Sequence, residues 1–135
     1  MAIAVETEGR GQLAIRITGA ASAAAAGLGA QPNPEGKSVL ILRTTLIVFT
    51  ASTGAATITI GVAADASSSA NDIINALAMN GVSANTCYNG HVMQNSAKTA
   101  ITAPALWESG KYITLTGSAS TVGLDAMLLV DYVRL

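Results

Sequence analysis

Hydrophobic and polar positions alternate along most of this chain in short runs, separated by clusters of Gly, Pro, Asn and Ser. A period of two places successive side chains on opposite faces of an extended strand. The clearest case is 55–62, where Ala56, Ile58, Ile60 and Val62 point one way and Thr57 and Thr59 the other, which predicts a half-buried strand. The run 38–50 differs. Val39, Ile41 and Arg43 fall on one parity and Leu40, Leu42 and Thr44 on the other. Apolar residues on both parities predict a strand covered on both faces, and the β-branched content favours strand over buried helix. Ser52-Thr53-Gly54 marks a turn, so 39–50 and 55–62 are expected to form a hairpin or to lie side by side.

The alternation recurs towards both ends. Leu13, Ile15 and Ile17 share a face against Arg16 and Thr18, and 2–7 reads as a strand or an extended arm. Ile113 and Leu115 oppose Tyr112, Thr114 and Thr116. Beyond Gly123, Leu124, Ala126, Leu128, Val130 and Tyr132 form one face, and Asp125, Met127, Leu129, Asp131 and Val133 the other. One segment breaks the period: Ile73, Ile74 and Leu77 recur at helical spacing, so 72–79 is expected to make one or two helical turns capped by Asn71 or Asp72. Between these lie a polar loop at 63–71, short strands at 82–88, 91–94 and 99–102, and a turn at 104–110 that carries Trp107. About seven or eight short strands, frequent turn signals and almost no helix predict an all-β fold, a β-sandwich or jelly roll.

Residues 1–37 have another texture. They are rich in Gly and Ala and end in Gln31-Pro32-Asn33-Pro34-Glu35-Gly36-Lys37, a turn or linker by its prolines and Gly36. The expected organisation is an N-terminal arm and linker over 1–37 and a β-sandwich domain over 38–135. The Ala-rich run at 20–30 reads as a connector, or as an arm that orders only against a partner. On that reading, removing residues 2–30 leaves the sandwich folded.

Composition adds a constraint. Hydrophobic residues make up 50% of the 135 and charged residues 11%, and mean hydropathy is +0.47, where soluble domains carry about 25% charged residues. A membrane-spanning helix needs about 20 predominantly apolar residues, and the longest apolar stretch is interrupted by Arg43, Thr44 and Thr45. The remaining way to hide so much apolar surface is assembly, with faces covered by copies of the chain or by a larger protein surface. Seven Lys and Arg, scattered, and a net charge of −1 offer no basic stripe for a phosphate backbone. A single cysteine, Cys87, excludes an intrachain disulfide. The first residues lack the cationic start and apolar core of a secretory signal, so synthesis and assembly in a cytoplasm are expected.

The chemical inventory is thin. His91 is the only histidine, and Cys87 lies four residues before it with no nearby acid to complete a triad; no catalytic residue, cofactor or metal is expected. Asp65 and Asp72 flank a Ser-rich loop and, with Asn71, suggest calcium, but capping and turn formation explain them equally. Glu6 and Glu8 read as a solvated edge, and Gly27-Leu28-Gly29 lacks the lysine of a phosphate loop. Trp107 and Tyr112 are too few for a sugar-binding stripe. Trp107 is expected to plug one end of the sandwich, its indole N–H meeting a loop carbonyl. Arg43, Asp125, Asp131 and Arg134 lie in or beside apolar strands. They read either as surface salt bridges or as pairs that set register between subunits. Candidate interface residues are Ile3, Val5, Leu13, Ile15, Arg43, Asp131 and Arg134.

Three stretches carry a family resemblance: 55–65 (AATITIGVAAD), 107–116 (WESGKYITLT), and Gly123-Leu124 leading into 128–133 (LLVDYV). Over 38–135 they resemble small β-sandwich structural proteins of tailed bacteriophages, capsid decoration (cement) proteins above all. The resemblance leaves 1–37 uncovered, and no residue in it does chemistry. It implies a non-enzymatic virion protein, often a homotrimer, that binds the major capsid protein on the shell surface where capsomers meet. Another phage module, of the tail or fibre attachment, and a carbohydrate- or receptor-binding sandwich are the alternatives.

Overall fold

The computed structural model describes residues 9–89 and 105–135. Nine strands follow in chain order: β1 (Arg10–Thr18), β2 (Gly29–Pro32), β3 (Val39–Thr50), β4 (Thr57–Ala63), β5 (Ile74–Ala78), β6 (Thr86–Asn89), β7 (Ala105–Trp107), β8 (Tyr112–Gly117) and β9 (Asp125–Arg134). They build two antiparallel sheets, the all-β architecture expected from the alternation. The first sheet runs β1-β9-β3, with β6 and β7 sharing the far side of β3; the second runs β2-β8-β4-β5. Its core lies between the sheets and includes Trp107, Leu46, Ile58, Ile60, Ile113 and Leu128, all fully buried.

The run 39–50 and the run 55–62 are strands, but they are not neighbours. β3 belongs to the first sheet and β4 to the second, so the turn at 51–56 crosses the sandwich. Alternation fixes which face a side chain takes and carries no information about which strand lies alongside. Among the described residues β4 and β5 are the one consecutive pair that share a ladder.

The segment 72–79 forms β5 instead of a helical turn. Ile74 faces Ile60 and Leu77 faces Ile58, with a register shift between and a positive φ of 54° at Ala76. One extra residue in the strand puts two core-facing side chains three apart, which imitates helical spacing. Trp107 closes β7 instead of sitting in a turn, and the turn follows it at 108–110. The strands expected at 91–94 and 99–102, the segment 2–7 and the candidate residues Ile3 and Val5 lie outside the described residues.

The division into an arm over 1–37 and a sandwich over 38–135 changes for the described part of the arm. β1 pairs with β9 through nine consecutive residues, Arg10↔Val133 to Thr18↔Asp125. β2 pairs with β8. The Ala-rich run between them is stitched down. Thr121 N–H donates to the Ala20 carbonyl at 2.8 Å and Ala20 N–H to Thr121 Oγ1 at 3.0 Å. Ala26 N–H reaches Thr116 Oγ1 at 2.9 Å. Each sheet therefore takes a strand from this part of the chain.

Gly61 shows how closely the loop after β4 packs. A Cβ there would collide with the Asp72 carboxylate and the backbone of Ala70. Asp72 Oδ1 accepts the Val62 N–H at 2.7 Å, tying the loop to β4. Thr114, the register partner of Gly61 on β8, is fully buried, and its hydroxyl has no partner among the described residues.

Candidate functional site

The feature that best matches the demand for covered surface is the outer face of the first sheet. Alternation along β3 and β9 sends one set of side chains into the core and leaves the other outside. Leu40, Ile47 and Phe49 of β3 and Met127, Leu129 and Val133 of β9 are all half-buried. Leu106 of β7, the register partner of Leu40, is 48% exposed. Adjoining rows thus run Leu106–Leu40–Val133–Arg10, Thr45–Leu129–Ala14 and Ile47–Met127–Arg16. No described residue covers this face as the second sheet covers the inner one.

Two arginines on the face, Arg43 and Arg16, are paired within the chain. Arg43 Nη2 lies 3.2 Å from Asp131 Oδ2, with the arginine side chain 61% exposed. Arg16 meets both oxygens of Asp125 at 2.7 Å, which raises its pKa, and its guanidinium stacks over Phe49, 4.9 Å from the ring centroid. The Arg43–Asp131 pair, expected as a candidate contact between subunits, closes in cis across β3 and β9. Exposed pairs of this kind contribute about 0–1 kcal/mol, so their effect here is to place neutralised charge among apolar rows.

A β-bulge makes this arrangement possible. The β3–β9 register shifts between Ile41 and Arg43. Val39 and Ile41 are buried before it, and Thr44, Leu46 and Val48 after it. Were Leu42 an ordinary strand position instead of a bulge, Arg43 would share the inward parity of Val39 and Ile41, where an unpaired charge is costly.

Arg134 serves a different purpose. Its guanidinium forms an ion pair with Glu35 and donates to the Arg10 carbonyl at 2.8 Å. Tyr132 Oη donates to Glu35 Oε1 at 2.8 Å. Arg134 and then the Tyr132 hydroxyl hold the Glu35 carboxyl below its ordinary pKa. Burial, with Glu35 alongside, pushes the Tyr132 phenol up. Gly11, paired with Tyr132, leaves room for the ring, which a Cβ would meet at 2.6 Å.

Glu35 sits in the stretch that reads as a linker, and that stretch is a clamp. Asn33 Nδ2 donates to the Lys37 and Trp107 carbonyls, both at 2.9 Å, and Asn33 Oδ1 accepts the Glu35 N–H at 2.8 Å. Trp107 is fully buried and its indole N–H meets the Lys111 carbonyl at 3.0 Å, the loop carbonyl expected from sequence. Glu35 and Asn33 were not legible as partners, because no local pattern links them to residues so distant along the chain.

Leu13 and Ile15 turn inward on β1 and pack against the core edge, half-buried. Asp65 accepts the backbone N–H of Ser67 at 2.9 Å and the hydroxyls of Ser68 and Ser67. These bonds, the Ser67 N–H first, hold its pKa below the usual value and make it a turn former. Among the described residues no three of His, Cys, Asp and Glu gather closely enough to hold a metal ion, and no helix is long and apolar enough to cross a membrane. Cys87 is exposed; His91 lies outside the described residues. Comparison with protein-family models, with curated proteins and with solved structures finds no match to this chain.

Proposed function

We propose that this chain is a non-enzymatic structural protein of a virion, docking through the outer face of its first sheet onto an assembled phage capsid that it stabilises. The observation that carries the reading is that face: apolar residues on β3, β9 and β7, with Arg16 and Arg43 already paired to neighbouring carboxylates. A protein that binds an assembled lattice better than free subunits stabilises the lattice by mass action, and many symmetry-related copies multiply a modest contact. Neutralised charge suits such a contact, because unpaired charges would have to be desolvated on docking. The family resemblance supplies the kind of partner, a major capsid protein.

The test is imaging of the virion whose genome encodes the chain, together with co-sedimentation of purified chain and capsids. Density for the sandwich on the shell, with β3 and β9 towards it, supports the reading; Leu129→Glu is then expected to lose co-sedimentation while staying folded. Density confined to the tail favours the tail-module alternative. Particles that lack the chain overturn both. The carbohydrate reading loses its best residue, since Trp107 is fully buried and has no face to offer a sugar.

A further inference from the structure

Among the described residues the two sheets have four lateral edges, and three are blunted. β2 has four residues and ends in Pro32. β5 has five, with a register shift and a positive φ at Ala76. The far side of β3 is shared by two short strands, β6 and β7. Short strands, prolines and bulges are how sheet edges avoid pairing with other chains. β1 has none of these: nine residues, no Pro, no Lys, and an unbroken register against β9.

The hydrogen-bond parity of β1 is fixed at both ends. Arg134 N–H donates to the Gly9 carbonyl and Gly19 N–H to the Leu124 carbonyl. In an antiparallel ladder such pairs recur at every second residue, so residues 11, 13, 15 and 17 also turn their backbone groups towards β9. Gln12, Ala14, Arg16 and Thr18 turn theirs outward. The Arg10 carbonyl is taken by Arg134; the others have no backbone partner among the described residues.

We infer that β1 pairs with β1 of a second copy, antiparallel about a two-fold axis through Ala14, so that the first sheet continues from one subunit into the next. A two-fold contact sets each residue against its reflection in sequence. Centred on Ala14, Gln12 faces Arg16 of the second copy and Arg10 faces Thr18. Moving the axis one residue towards the N-terminus, to Leu13, sets Arg10 opposite Arg16, a like-charge pair that is unfavourable directly across strands. On the inner face the same register sets Leu13 against Ile15 of the second copy. Both are half-buried at the core edge, and the pairing would cover them. This contact is independent of the capsid reading.

The experiment uses the full chain. Sedimentation velocity across the micromolar range is expected to give a dimer. Ala14→Pro removes an outward N–H without touching the β9 ladder and is expected to give a folded monomer. Should that variant misfold, Gln12→Glu and Gln12→Arg carry the test, because Gln12 is exposed. Each change acts twice by symmetry, so the first is expected to tighten the dimer by roughly 2- to 30-fold and the second to weaken it similarly. In a Cys87→Ser background, Ala14→Cys is expected to cross-link on oxidation, its Cα pair lying about 5.5 Å apart. Thr18→Cys should not, its two copies being on the order of 25 Å apart. A monomer, a trimer, or equal cross-linking at both positions overturns the inference. A trimer that still sediments with capsids leaves the capsid reading standing.

Discussion

Arg43 and Asp131 face each other on the solvent side of β3 and β9 because Leu42 is an extra residue in β3. The bulge changes the inward parity of the strand partway along. Apolar residues on both parities of 39–50 follow from this, as well as from a solvent-side face that is itself apolar.

Deleting Leu42 should therefore be tolerated. It restores a regular strand in which Val39, Ile41, Thr44, Leu46 and Val48 still point inward and Arg43 still points out. A cost of about 1–2 kcal/mol is expected, within the ordinary range for a single change. Deleting Thr45 has the opposite consequence, because it sends Leu46 and Val48 outward. Urea unfolding followed by circular dichroism distinguishes the two. Equal damage from both deletions would show that the bulge does not set the facing.

Removing residues 2–30 should abolish folding rather than spare the sandwich. The deletion takes all of β1, which lies along the full length of β9, and uncovers the edge of the core at Leu128 and Val130. Loss of a cooperative unfolding transition is the expected outcome. A folded, two-state truncated chain would mean that β1 adds little to the core.

Stability should depend on Glu35 in a definite direction. Its pKa is lowered in the folded protein by Arg134 and Tyr132. A carboxyl whose folded pKa is depressed contributes stability above its unfolded value, and that contribution is lost as pH falls through the folded value. Glu35→Gln should thus unfold more readily than the parent at neutral pH, and the gap should narrow in acid. Urea midpoints at the two pH values check this. A constant gap would move the origin of the effect away from the ionised carboxylate.

Much of the fold was legible where one strand meets one core. The final strand is the best example: Ala126, Leu128, Val130 and Tyr132 are buried and their neighbours are not, as the alternation predicts. Reading fails at bulges, where the period slips. Ile74 and Leu77 look helical for this reason, and Arg43 seems to belong inside. It fails again over partner choice, which placed 39–50 beside 55–62. The candidate charges were visible because ions stand out in an apolar chain. Glu35, which Arg134 and Tyr132 both bind, was hidden in a turn whose composition suggests only a linker.

The placement of β9 between β1 and β3 has a kinetic consequence. Thr18 waits for Asp125 and Arg10 for Val133, so the middle of the sheet is missing until more than a hundred further residues have been made. Loop closures of that length are slow, and assembly dominated by them proceeds in milliseconds to seconds rather than microseconds. Until β9 arrives, the inner faces of β1 and β3 are sticky and unpaired. A nascent chain of this kind is most vulnerable to chaperone capture and to aggregation late in its synthesis.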